Sequence, residues 1–179
     1  MKGKGNDGKG NVPERDLWET QQELWDQLNN QYNFNFDCCA SKTNSKTDLY
    51  SSDFKSVRKE DIINMFCWMN PPFSKAFEMF KHFFRVVDYG VAIYRCDNME
   101  TKVWQDIILK NADWIFFPRG RINYNGLNGV GARFPSALIG VNVPQPQNIK
   151  GITLFTKPKG AYLFSSNHYI DKSTNGGIL

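Results

Sequence analysis

Apolar and polar positions divide the chain into short stretches of opposite period. Leu17, Leu24, Trp25 and Leu28 fall at helical spacing, and Thr20 followed by Glu23 fits a capping box, so the pattern predicts a helix starting near Thr20. Residues 32–36, YNFNF, alternate aromatic with Asn and predict a short strand closed by Asp37. Residues 41–61 are polar and carry no strong period. A second strand spans 63–69 and stops at two prolines. Residues 75–88 predict an amphipathic helix with Phe77, Phe80, Phe84 and Val87 inward. Beyond it come a strand over 89–95, a helix over 101–112 and a strand over 113–118 closed by Pro118. A Gly- and Asn-rich loop fills 120–136, with a short strand at 122–124, and a strand follows over 137–143. Residues 151–165 predict a C-terminal β-hairpin turning at 157–160. No internal repeat interrupts this order. Alternating strands and helices predict an α/β fold with a largely parallel sheet. Ligands of such open sheets bind beyond the C-terminal ends of the strands. Asp37 and Asn70 are predicted at two such ends, facing one crevice.

Composition adds limits to this picture. A chain of 179 residues with 41% hydrophobic content suits one domain with a real core and excludes general disorder. Residues 1–15 predict a disordered tail, in which Lys2, Lys4 and Lys9 are either solvated or touch phosphates. The folded domain is expected over 16–165, with a C-terminal tail over 166–179. The net charge of +4 is compatible with a polyanionic partner and equally with a plain solvated surface. Cys38, Cys39, Cys67 and Cys96 form no CxxC pair, and the two histidines, His82 and His168, supply no zinc-ligand spacing. No metal is expected, and the thiols read as buried groups in a reducing compartment. No signal peptide or long apolar span appears, so a soluble cytoplasmic protein without a membrane partner is expected.

The sharpest chemistry lies in CWMNPPFS, residues 67–74. Proline lacks an N–H and fixes φ, so the strand must stop at Asn70. The bland reading is a strand-terminating turn with an apolar residue after it. The functional reading is a clamp for an amino group on a planar ring. An exocyclic amine on adenine is a poor nucleophile, because its lone pair is delocalised into the ring. Acceptors on both amino hydrogens draw that nitrogen toward tetrahedral geometry. The side-chain carbonyl of Asn70 is one such acceptor and the backbone carbonyl of Pro71 the other. Pro72 stiffens the turn, and Phe73 can stack on a base flipped from the duplex.

Taken together, these residues resemble the phage-type DNA N6-adenine methyltransferases, the Dam family of phages and prophages. The resemblance runs from about Asp16 to Val143. It begins with DLWETQQELWDQLNNQYNFNFDCCASKTNSK, continues through NPPF and ends with FFPRGRINYNG and FPSALIGV. It implies a Rossmann-like sheet, pared down in this chain, and S-adenosylmethionine as methyl donor. Carried over position by position, Asn70, Pro71, Pro72 and Phe73 are the catalytic motif. Asp37 is the cofactor acid, with Ala40 and Ser41 beside it and Trp18 and Thr20 nearby. Gln21 stands where the family usually has Pro.

Other candidates carry two readings each. Asp37 either serves the cofactor or caps a helix near Ser41. Asp48 and Asp53 are either contacts to the adenosine or solvated loop acids. Arg119, Arg121 and Arg133, with several Asn between them, make a DNA-facing loop or a loop with incidental charge. Trp68 and His82 read as packing residues. The resemblance implies methylation of N6 of adenine in double-stranded DNA. Methylation of N4 of cytosine, and a DNA-binding protein without catalysis, are the alternatives. The oligomeric state is not legible.

Overall fold

The computed structural model describes residues 16–125, 134–156 and, in backbone, 162–166. Arg133, both chain tails and the expected turn at 157–160 lie outside the described residues.

Ten strands appear among the described residues: β1 (Glu19–Thr20), β2 (Phe36–Asp37), β3 (Leu49–Tyr50), β4 (Phe66–Met69), β5 (Tyr89–Arg95), β6 (Trp114–Pro118), β7 (Tyr124–Asn125), β8 (Ser136–Val141), β9 (Gly151–Thr156) and β10 (Tyr162–Ser166). Helix α1 spans Gln22–Tyr32 and α2 spans Ala76–Val86. A π-helical stretch, Val103–Ile108, runs into the single turn α3, Leu109–Asn111.

The main sheet has eight strands in the order β10-β9-β6-β8-β5-β4-β2-β3. Strands β3, β2, β4 and β5 pair in parallel. The pairs β5–β8, β6–β8, β6–β9 and β9–β10 are all antiparallel. The sheet is therefore mixed, where a largely parallel one was expected. Pairing also fixes direction. Because β8 opposes both β5 and β6, strand β6 points the same way as β2, β4 and β5. Their C-terminal ends share one edge, and these ends carry Asp37, Asn70 and Arg119.

The two faces of the sheet bury separate apolar clusters. Along β4, Cys67 and Met69 face the cluster under α2 and the 103–111 helix, while Trp68 faces the cluster under α1. Trp68 is buried, as expected. On α2 the inward stripe is Ala76, Met79, Phe80, Phe83 and Val86. Phe77, expected inward, is 37% exposed, and Phe84 is only half-buried. His82 is buried too. Its Nε2–H donates to the Val57 carbonyl at 2.9 Å, and Nδ1 accepts from Arg85 at 2.7 Å. Burial first, and the guanidinium beside it, disfavour the protonated ring. Packing is thus the role of this histidine. All four cysteines are free, and Cys38 and Cys67 are fully buried.

Two expected boundaries move for local reasons. Thr20 does not cap α1. It lies in β1, paired with Tyr124, and extended Gln21 precedes the helix. Asn33 ends α1 in the left-handed region, φ 51°, and its N–H bonds to the Asn29 carbonyl at 2.8 Å. Asn tolerates that conformation, so the chain turns there and the expected strand over 32–36 shrinks to β2.

Candidate active site

Asp37 ends β2, and its carboxylate is turned inward. It accepts the backbone N–H of Lys46 at 3.1 Å and that of Cys39 at 3.3 Å. Main-chain bonds from Ser51 N–H to the Asp37 carbonyl, 2.9 Å, and from Ala40 N–H to the Ser51 carbonyl, 3.0 Å, fold loop 38–50 back over the strand end. The acid organises this loop and caps no helix at Ser41. Burial pushes the Asp37 carboxyl up to about 6, against the two backbone N–H bonds that favour its charge.

Asn70 ends β4, the strand paired with β2 on its other flank. Its amide Nδ2 donates to the Trp18 carbonyl at 2.7 Å. A carbonyl only accepts, so the NH2 end of the amide is the end that meets Trp18, and Oδ1 is the end left for another donor. The Pro72 carbonyl accepts from Lys75 N–H at 3.0 Å and opens the 3₁₀ turn Phe73–Lys75. Pro71 is buried, and Pro72 and Phe73 are half-buried. The Phe73 ring meets Trp18, Tyr94 and Phe134 edge-to-face, with centroids 5.4–5.7 Å away.

Residues 16–20 roof the space between these strand ends. Asp16 accepts the Ser74 N–H at 2.9 Å and the Ser74 hydroxyl. The Trp18 indole stacks on Phe134 with centroids 4.9 Å apart. Strand β1 pairs with β7, Glu19 opposite Asn125 and Thr20 opposite Tyr124. Tyr124 in turn hydrogen-bonds Ser136 of β8, O···O 2.8 Å.

Between roof and sheet edge lies a cleft of about 460 Å³. Of the residues expected in the site, Trp18, Thr20, Asp37, Ala40, Ser41, Asn70 and Pro72 all line it. Asp53 lines it as well; Asp48 is not among its walls. Two buried polar atoms in these wall residues, Trp18 Nε1 and Thr20 Oγ1, have no protein partner. Buried donors of this kind are costly unless a ligand meets them. A buried carboxylate, unmatched donors and a volume in the small-molecule range fit an amino-acid-bearing cofactor such as S-adenosylmethionine. The sequence pattern missed Lys46, whose Nζ donates to Gln22 at 3.1 Å, together with Asn44 and Lys75. Asn44 and Lys46 lie in the aperiodic stretch 41–61 and reach the cleft only through the folded loop, and Lys75 reaches it from the 3₁₀ turn after Pro72.

Arg119 and Arg121 follow β6 and are exposed. Arg119 N–H bonds to the Lys150 carbonyl at 2.8 Å, which pins the start of the loop while leaving the guanidinium outside. Arg133 lies outside the described residues. Among the described residues no cluster of metal-ligating side chains occurs, and no helix is long and apolar enough to cross a membrane.

A family model for DNA N-6-adenine-methyltransferases (Dam) matches residues 8–158 of the chain. No curated protein matches it. Membership makes the protein an enzyme that methylates N6 of adenine in DNA with S-adenosylmethionine as donor. With the match spanning both strand ends, the cleft roof and the Arg-x-Arg loop, the chain belongs to the Dam family of DNA N-6-adenine-methyltransferases.

Proposed function

We propose that residues 70–73 are the catalytic motif, that the cleft beside Asp37 holds the cofactor, and that Arg119 and Arg121 engage double-stranded DNA. The sheet then acts as a pared-down Rossmann-like platform, with cofactor and target base meeting at the ends of β2 and β4. The observation that carries this reading is the 2.7 Å bond from Asn70 Nδ2 to the Trp18 carbonyl, which commits Oδ1 to the acceptor role.

S-adenosylmethionine, when bound, supplies an electrophilic methyl group. Everything else is done by the chain. Asp37 would hold the α-ammonium of the cofactor, with Trp18 and Thr20 in the wall beside it. Ala40 and Ser41 complete the wall beside them. Asn70 Oδ1 and the Pro71 carbonyl accept the two amino hydrogens of the flipped adenine. That pair of acceptors draws the nitrogen lone pair out of the ring as it becomes tetrahedral. Pro71 has no N–H to compete with its own carbonyl, and Pro72 fixes the turn. Phe73 supports the base by stacking. No strong base is needed, because the amine loses its proton readily once methylated.

Asn70→Ala tests the assignment. The lost acceptor acts mainly as the nitrogen becomes tetrahedral, so the loss falls on rate and not on binding. A drop in single-turnover methyl transfer on the order of 10²-fold is expected, by analogy with removal of one preorganised polar group. Transfer is read as labelled N6-methyladenine by nucleoside mass spectrometry, and cofactor affinity by calorimetry. A variant that methylates at the wild-type rate would reduce NPPF to a turn.

A further inference from the structure

The bond that orients Asn70 comes from a segment whose Trp18 and Thr20 side chains are buried but whose main chain pairs with β7 over two residues. Strand β1 has two residues, as does its partner β7, and a ribbon that short is marginal by itself. Leu17 is 66% exposed and adds no burial. The Trp18 indole is well packed, but ring packing does not fix the direction of the backbone carbonyl.

Asp16 supplies the missing constraint. Its two carboxylate oxygens take both donors of Ser74, the backbone N–H at 2.9 Å and the hydroxyl. Both bonds are exposed to solvent, so what they contribute is geometry: two bonds to one side chain fix how Asp16 sits against Ser74. Asp16 stands two residues before Trp18, and Ser74 stands four residues after Asn70. The Asp16–Ser74 clasp and the Trp18–Asn70 bond therefore close one small ring across the strand end. We propose that Asp16 is a positioning residue for methyl transfer: by clasping Ser74 it fixes the Trp18 carbonyl, and through it the face that the Asn70 amide turns to the target amino group. The proposal rests on the acceptor role assigned to Asn70.

Without the clasp the carbonyl is free to turn, and the amide is free to rotate. A rotated amide sets NH2 against an amino group, donor against donor, and the lone pair is no longer aimed. The cofactor wall at Asp37 is built by loop 38–50, while the clasp belongs to the roof, residues 16–20, which lines the same cleft.

The test compares Asp16→Ala, Ser74→Ala and Ser74→Thr with wild type, and repeats Asp16→Ala in the Asn70→Ala background. Each purified variant is assayed for single-turnover transfer at saturating DNA and S-adenosylmethionine, and for cofactor affinity by calorimetry. Misplacing a reacting group by about 1 Å costs on the order of 10²-fold, so Asp16→Ala is expected to slow transfer roughly 10- to 100-fold. The rates are compared at saturating S-adenosylmethionine, so a change in cofactor affinity, expected because Asp16 lines the cleft, leaves the comparison intact. Ser74→Ala, which keeps the backbone bond, should lose less, and Ser74→Thr should recover the rate. In the Asn70→Ala background Asp16→Ala should cost almost nothing, because its effect passes through Asn70. Equal slowing in both backgrounds overturns the proposal, as does full-speed transfer by both Asp16→Ala and Ser74→Ala. Wild-type transfer by Asn70→Ala overturns instead the reading on which the proposal rests.

Discussion

Of the carboxylates and lysines that line the cleft, Asp37 is the buried one. Desolvation raises its carboxyl to about 6 from an ordinary 3.8, even though two backbone N–H groups favour the charged form. The sign for stability follows directly. Between those two values the folded chain holds a proton that the unfolded chain has released, so stability falls as pH rises through the window. The full effect is roughly 3 kcal/mol at about 1.4 kcal/mol per unit. Asp37→Asn should flatten the pH dependence of chemical denaturation between about pH 4 and 6. An ammonium group arriving beside the carboxylate reverses the balance and expels that proton. Cofactor binding near pH 6 is therefore expected to release protons. Calorimetry in buffers of different ionisation enthalpy should detect this at pH 6 and lose it at pH 8. If the released protons persist in Asp37→Asn, they come from another group. At this scale the motif proposed as catalytic was the most readable part of the chain, because its chemistry sits in four consecutive residues. The role proposed for Asp16 was not readable, since its partner lies 58 positions away.

Elements were legible where their period was long and illegible where it was short. Strand β5 and helix α2 emerged near their expected bounds. Phenylalanines at 77, 80, 83 and 84 offer α2 two apolar stripes; the pattern was right for Phe80 and, just past the helix, Val87, but Ala76, Met79, Phe83 and Val86 complete the packed face in place of Phe77 and Phe84. Two-residue strands have almost no period, so β1 and β3 left no usable trace, β7 showed only as the short strand expected at 122–124, and Thr20 was taken for a cap. Strand β8 presents a sharper physical constraint. Gly140 lies against the indole of Trp114, opposite it on β6, and an added Cβ would fall inside the ring. That indole is also held by its Nε1 bond to the Val143 carbonyl at 2.6 Å, so it has little room to yield. Gly140→Ala should destabilise the fold by about 1–3 kcal/mol, the usual range for overpacking. Urea denaturation checks this. The midpoint should fall with an unchanged slope, and an unchanged midpoint would mean that the β6–β8 contact is looser than the geometry indicates.

For the whole molecule, the decisive feature is one that local patterns cannot encode. Alternating strands and helices suggested a parallel sheet, but insertion of β8 between β5 and β6 is a long-range pairing with no signal in spacing. That insertion keeps β6 aligned with β4 and brings Arg119 to the same edge as Asn70. The loop after β6 then returns through β7 to pair with β1, so the Arg-x-Arg segment and the cleft roof are joined by a ribbon. This arrangement predicts where the electrostatic part of DNA binding resides. The net charge of +4 is too small for a diffuse basic surface to dominate, so a few exposed arginines near the edge should carry a measurable share. Each lost phosphate contact lowers the slope of log affinity against log salt by about one. Arg119→Ala and Arg121→Ala should each weaken binding to double-stranded DNA at low salt, and the double variant should lower the slope by about two. Loss confined to one DNA sequence, with an unchanged slope, would make the residue a reader of base edges instead. Cofactor affinity should be unaffected, because neither guanidinium lines the cleft. Should both variants bind with wild-type affinity and salt dependence, the loop after β6 is not a DNA contact, and its part in the site reduces to the ribbon in which β7 pairs with the roof strand β1.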